Sequence, residues 1–178
     1  MPHDEHDGQA AVPALSPDAL FHTGLVVDDL DLAMKTFGAL AGYRFTTVME
    51  LEVTARLADG RLQHASQRFA LTVEEPRLEL VEAIPGTVWV SDGSNGAHHL
   101  GYWADSDRIG AMSAELVAQG FAVEASNDHE ADGILMWVYH RGLGGLRIEL
   151  LNKLMKPSMD AWIAGADPAE VAQEAPGS

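Results

Sequence analysis

Two hydrophobic rhythms run along this chain. Through Leu146-Arg147-Ile148-Glu149-Leu150-Leu151 apolar and polar residues alternate, the period of a strand with one covered face, and Leu78-Glu79-Leu80-Val81 repeats the pattern. Elsewhere the period lengthens. Leu30, Met34, Phe37 and Ala41 recur at helical spacing, as do Ile109, Met112, Leu116 and Val117. Gly42 and Gly120 follow these runs, where helices commonly end on a left-handed residue. Asp-rich turns precede them, Val27-Asp28-Asp29 and Ala104-Asp105-Ser106-Asp107, and offer N-cap oxygens.

The two halves of this pattern are copies of each other. FHTGLVVDDLDLA from Phe21 aligns with HHLGYWADSDRIG from His98 at one constant offset, superimposing His22 on His99, Gly24 on Gly101 and Asp28 on Asp105, and a one-residue slip then brings Gly42-Tyr43 onto Gly120-Phe121. RLELV and RIELL align as well, at a slightly shorter offset. In the first copy the alternation predicts strands over Tyr43 to Ala55, Gln67 to Val73 and Leu78 to Val81, with turns at Ala58-Asp59-Gly60 and Glu74-Glu75-Pro76. The second copy gives Ala122 to Glu124, Ile134 to His140 and Leu146 to Leu151. Each copy reads β-α-β-β-β, so the expected fold is α+β: two tandem βαβββ modules, 20–83 and 98–152, forming a curved mixed sheet around a cleft. Residues 84–97 connect the modules. Residues 1–19 read as disordered, with His3 and His6 as nonspecific metal binders, and 153–178 as an extension. Within that extension a short amphipathic stretch from Met159 to Ile163 packs back, and the remainder frays.

Composition narrows the chemistry. At 178 residues, 47% of them hydrophobic, the chain can bury a full core. No apolar run reaches bilayer-spanning length and the N-terminus lacks the features of a secretory signal, so a cytoplasmic protein is expected. A net charge of −16 argues against nucleic-acid and anionic-membrane partners and leaves a small-molecule substrate. With no cysteine, thiolate chemistry is excluded and His, Asp and Glu remain as strong metal ligands.

Glu79 and Glu149 oppose the leucines and isoleucine of their strands. A solvated strand face would account for either one alone, and a satisfied core position would account for His22 or His99. The pairs are matched between copies, however, and surface positions have no reason to keep the same residue after duplication. Two imidazoles and two carboxylates, His22, Glu79, His99 and Glu149, suit one divalent ion of Zn, Ni, Co, Mn or Fe, with room left for substrate. Tyr139 lies on the second-copy hairpin beside Trp137, where a phenol can orient a substrate oxygen. Leu71, Trp89, Tyr102 and Trp137 are the candidate pocket walls, although aromatic residues at strand spacing also build cores. Arg44, Arg68, Arg77 and Arg147 are candidates for holding an anionic tail, or for surface ion pairs.

From Phe21 to Asn152, carried by FHTGLVVDDLDLAM, RLELVEAIPG, GAHHLGYWADS and LRIELLN, the sequence resembles the vicinal oxygen chelate superfamily, which includes glyoxalase I, methylmalonyl-CoA epimerase, extradiol dioxygenases and bleomycin resistance proteins. HHLGYW and GLRIELLN are similar to its epimerase-like branch. The resemblance implies the metal set His22, Glu79, His99 and Glu149, a glutamate ligand (Glu79 or Glu149) that can leave the metal to act as base, and a homodimer. It implies a metal-dependent isomerase, epimerase or lyase working through an enolate-like intermediate. The epimerase's proton-removing carboxylate has no counterpart: Leu71 or Phe69 falls opposite Glu79, with Trp137 as the second-copy equivalent. A non-heme Fe(II) ring-cleaving dioxygenase is the alternative, disfavoured by a fourth protein ligand, and a non-catalytic antibiotic- or metabolite-binding protein is another. His98, next to the ligand His99, is expected on the opposite face.

Overall fold

The computed structural model describes residues 15–90 and 97–174. The stretch holding His3 and His6, part of the connector and the last four residues lie outside the described residues. The first copy forms β1 (Leu20–Val27), α1 (Leu30–Ala41), β2 (Met49–Leu57), β3 (Leu62–Leu71) and β4 (Leu78–Glu82). The second forms β5 (His99–Ala104), α2 (Ile109–Ala118), β6 (Ala122–Asn127), the single turn α3 (His129–Asp132), β7 (Trp137–Arg141) and β8 (Arg147–Asn152). Two further helices follow, α4 (Lys156–Ile163) and α5 (Pro168–Glu174).

The strands close into an eight-stranded barrel in the order β1-β4-β3-β2-β6-β7-β8-β5. Each copy keeps its own four strands together, and the two joints pair equivalent strands, β1 with β5 and β2 with β6, both antiparallel. Equivalent strands meeting antiparallel is what a two-fold axis between the copies requires. The predicted curved mixed sheet is thus present, and the short β2–β6 ladder at Ala55 to Leu57 shuts it. Closure removes the unpaired edges an open sheet would carry.

Strand alternation sorts the side chains into two layers. Ile148 and Leu150 point outward, where α2 covers them with Ile109 and Leu116. Phe69, Leu71, Val81 and Tyr139 point inward, where they meet Trp89 from the connector and Trp162 from α4. Asp29 caps α1, its carboxylate accepting from the Leu32 amide at 2.8 Å, and Gly42 ends that helix at φ 75°. No side chain caps α2: the Asp105 backbone carbonyl takes the first amides, while its carboxylate pairs with Lys153 at 2.7 Å.

Several boundaries differ from expectation for local reasons. The Ala58-Asp59-Gly60 turn is tight, so β2 and β3 pair right up to it, at Arg56 opposite Leu62, and β3 starts earlier than the alternation suggested. β7 starts late because the Asn127 side chain claims the preceding backbone, donating to the Ile134 carbonyl and accepting from the Met136 amide. The supposed frayed tail contains α5, begun by Asp167, whose carboxylate accepts from the Ala169 amide at 2.8 Å, and anchored by buried Val171.

The extension closes one side of the barrel interior. Trp162 is fully buried, its indole N–H donates to the Thr47 carbonyl at 3.0 Å, and its ring meets Phe69 edge-on at 5.3 Å. Trp162→Ala removes both the packing and the hydrogen bond and is expected to cost about 3–5 kcal/mol, read as a lower urea midpoint with little change in slope.

Candidate metal centre

Two rows of in-register neighbours cross the inner face of the barrel. One runs Leu71, Glu79, Gly24, His99 over β3, β4, β1 and β5; the other runs Tyr139, Glu149, Gly101, His22 over β7, β8, β5 and β1. Each row takes three residues from one copy and its histidine from the other. The repeated His-x-Gly spacing is what makes this possible, because antiparallel pairing of β1 and β5 sets each histidine opposite the other copy's glycine. A Cβ on Gly24 would lie 1.9 Å from His99 Cε1, and one on Gly101 would lie 2.4 Å from His22 Cε1. Only a residue without a side chain leaves these rings their place.

The four predicted ligands converge, with one ligating atom from each lying within 4.8 Å of all the others. The His22 and His99 Nε2 atoms are 2.8 Å apart, and Glu149 Oε2 lies 3.2 Å from the first and 3.3 Å from the second. Glu79 Oε2 is 3.6 Å and 3.2 Å from the same nitrogens. Ligands bound at roughly 2.1 Å stand roughly 3.0 Å apart at right angles and roughly 3.4 Å apart at the tetrahedral angle, so this spread fits a single divalent ion. A further observation agrees. Glu149 Oε2 is buried and makes no well-formed hydrogen bond despite its two close imidazoles, as happens when lone pairs converge on one point.

The second imidazole is oriented by a chain of hydrogen bonds. The Val88 carbonyl can only accept, so the His98 Nε2 2.8 Å from it carries a hydrogen. Neutral His98 then offers a lone pair at Nδ1 to the His99 Nδ1–H, 3.0 Å away, which leaves the His99 Nε2 lone pair facing the other ligands. Burial, with help from the charge of Arg147, lowers the His98 pKa to about 4, so it stays neutral. His98 precedes β5 and its ring turns back against His99, at 5.2 Å between centroids, instead of pointing to the opposite face. The equivalent position in the first copy is Phe21, which packs against His22 at 5.1 Å and cannot accept a hydrogen bond; His22 Nδ1 is accordingly buried without a partner.

Electrostatics point the same way. Burial would lower the His99 pKa, yet Glu149 and Glu79 outweigh it and raise it to about 9. Burial alone would push the Glu149 carboxyl up, but His22 and His99 against it hold it well below the usual carboxylate range. Without a metal, a proton on His99 supplies the positive charge the glutamates demand.

A cavity of about 100 Å³ opens beside these residues, lined by His22, Glu79, Glu149, Leu71, Trp89, Trp137 and Tyr139 among others, and by Met155 and Met159 of the extension. Residues 21–137 match the family described as Glyoxalase/Bleomycin resistance protein/Dioxygenase superfamily. The chain belongs to this superfamily. The matched stretch ends before β8, the strand that carries Glu149. Among solved structures, a Streptomyces coelicolor methylmalonyl-CoA epimerase variant bound to 2-nitronate-propionyl-CoA is 17% identical, with 75% of this chain and 96% of that one covered and a TM-score of 0.51. A methylmalonyl-CoA epimerase in complex with methylmalonyl-CoA is 16% identical over 75% and 93%, at a TM-score of 0.50. These likenesses concern the fold. No curated protein matches the sequence.

Other candidates fall elsewhere. Tyr102 is on the outer face of β5, packed with the cluster under α2, because it is offset by an odd number of residues from His99. Tyr139, and not Trp137, is the counterpart of Leu71, since Tyr139 pairs with Glu149 and Trp137 with Leu151. Burial, followed by the charges of Glu149 and Glu79, raises the Tyr139 pKa well above its ordinary value, so the phenol remains a donor. His140 faces outward to Ser113, and His64 pairs with Thr54 at the surface. Arg44, Arg68, Arg77 and Arg147 are held by Glu74, by Glu50 and Glu82, by Glu75, and by Glu124, and none lines the cavity. Sequence reasoning missed Gly24 and Gly101 as space-makers and His98 as a support, although the HH doublet and the matched His-x-Gly were in view.

Gly24→Ala is expected to displace the His99 ring and abolish stoichiometric metal uptake in elemental analysis. Gly110→Ala, where a Cβ meets nothing within 4 Å, should leave uptake intact. Because a metal must displace the His99 proton below pH about 9, affinity measured by chelator competition should rise about tenfold per pH unit from pH 7 and flatten above about 9.

Proposed function

We propose that this protein is a metal-dependent isomerase, epimerase or lyase that moves a proton next to a substrate carbonyl, with His22, Glu79, His99 and Glu149 holding one Zn, Ni, Co, Mn or Fe(II) ion. The observation that carries this reading is the convergence of all four ligating atoms within 4.8 Å of one another, beside a walled cavity that His22, Glu79 and Glu149 line. A divalent ion bound there would act as a Lewis acid on a substrate oxygen and lower the cost of enolate-type charge. Among the described residues Glu79 and Glu149 are the carboxylates lining the cavity; we assign the base to one of them, and proton transfer would require it to release its hold on the ion. Glu79 is the more exposed of the two, with 13% of its side chain accessible against 8%, and has the freer side chain for that movement. Tyr139 donates to a substrate oxygen from the far end of the Glu149 row. Trp89, Trp137 and the methionines of the extension exclude water, which strengthens each of these interactions.

A second reading, a protein that binds a metabolite without turning it over, is favoured by one observation: Leu71 occupies the position beside Glu79 where an independent base would stand. Two measurements separate the readings. Elemental analysis of untagged protein should give about one divalent ion per chain, lost in Glu149→Ala and His99→Ala. The metal-loaded wild type should then exchange the α-proton of an enolisable ketone for deuterium in D2O, followed by NMR, with the rate down at least about 100-fold in Glu79→Ala or Glu149→Ala. Metal uptake without exchange across a panel of ketones and thioesters would favour the binding protein.

A further inference from the structure

We infer that the cavity selects uncharged, largely apolar substrates and rejects those carrying an anionic tail, including coenzyme A thioesters. This rests on the metal-site reading above and adds to it the chemical class of the ligand. The walls are the first observation: Phe69, Leu71, Met155 and Met159 are apolar, and beyond the ligands the polar groups of the lining, Gln67, Tyr139 and the indole N–H groups of Trp89 and Trp137, are all uncharged. Among the described residues no lysine or arginine lines it. A buried anion without a partner is costly, so an anionic group lodged among these residues would have to stay in water.

The arginines and two of the three lysines are paired with carboxylates, Lys153 with Asp105 and Lys156 with Asp160, and none of these cations lines the cavity. Every arginine of the chain lies within 3.7 Å of a carboxylate oxygen, and Arg147, the buried one on β8, is clamped by Glu124 and donates to the His98 carbonyl. Releasing Arg56 or Arg147 would strand a partner, Asp128 or Glu124, that is itself largely buried. The centre itself cannot help, because a divalent ion beside two carboxylates and two neutral imidazoles sums to zero charge. Proton transfer from substrate to Glu79 or Glu149 keeps that sum at zero, so a neutral substrate passes through enolate formation without net charge building up in the apolar cavity. An anionic substrate would carry an uncompensated charge throughout. At longer range the net charge of −16 repels approaching anions.

The test is a matched pair of probes with the same vicinal oxygens, 1-phenylpropane-1,2-dione and its 4-carboxyphenyl counterpart. Both are titrated by calorimetry into metal-loaded wild-type protein and into the metal-free form. The neutral dione is expected to bind at least about tenfold more tightly than the carboxylate, with the gap narrowing in high salt and in Gln67→Lys, which adds a cation to the wall. Equal or tighter binding of the carboxylate would overturn the inference, as would failure of both probes to bind either form. Binding of the neutral dione without deuterium exchange at its methyl group would count against the isomerase reading alone and leave the charge preference standing.

Discussion

Glu79 and Glu149 reach the same point in the barrel interior from strands that share no hydrogen bonds, and two like charges in an apolar enclosure cannot both remain ionised without a cation between them. This constraint shapes what surrounds them. Two imidazoles face the carboxylates, two glycines vacate the space those rings occupy, and His98 fixes one ring by way of the Val88 carbonyl. A binding site for a divalent ion meets all of these conditions at once; without one, a proton on His99 supplies the charge the carboxylates need.

The duplication supplies symmetry where ligands are needed and departs from it where a substrate has to be told apart from its surroundings. His22 and His99, Glu79 and Glu149, and Gly24 and Gly101 are equivalent pairs. Leu71 against Tyr139 and Phe21 against His98 are equivalent positions with different chemistry: one half presents an apolar wall, the other a phenol and a supporting imidazole. A molecule bound in the cavity would therefore meet different environments on its two sides, even though the two histidines and two glutamates are arranged almost symmetrically.

What could be read in the sequence was what depends on local periodicity and on the repeat. The βαβββ units, the inward direction of the two glutamates and their convergence with the two histidines all follow from alternation plus alignment. Barrel closure did not, because the β2–β6 joint is a long-range pairing of three residue pairs that leaves no periodic trace. Tyr102 was placed among the pocket residues for its chemistry, when its odd offset from His99 on one strand already put it on the far face. The inward place of His98 was hidden for the opposite reason: it precedes β5, so alternation does not govern it. Helix α5 was legible but passed over, since Asp167-Pro168 is the N-cap and first-turn pair with which helices often begin.

The crossed pairing of each histidine with the other copy's glycine also restricts how this chain can evolve. In most tandem duplications the halves drift apart freely once both are fixed. Here any side chain gained at residue 24 collides with residue 99, and any gained at residue 101 collides with residue 22, so substitutions in one half are acceptable only if the other half changes first. Positions that lie more than a module's length apart in sequence are bound to a common history, while Leu71 and Tyr139, which no such collision links, stay free to diverge and to change what the cavity accepts.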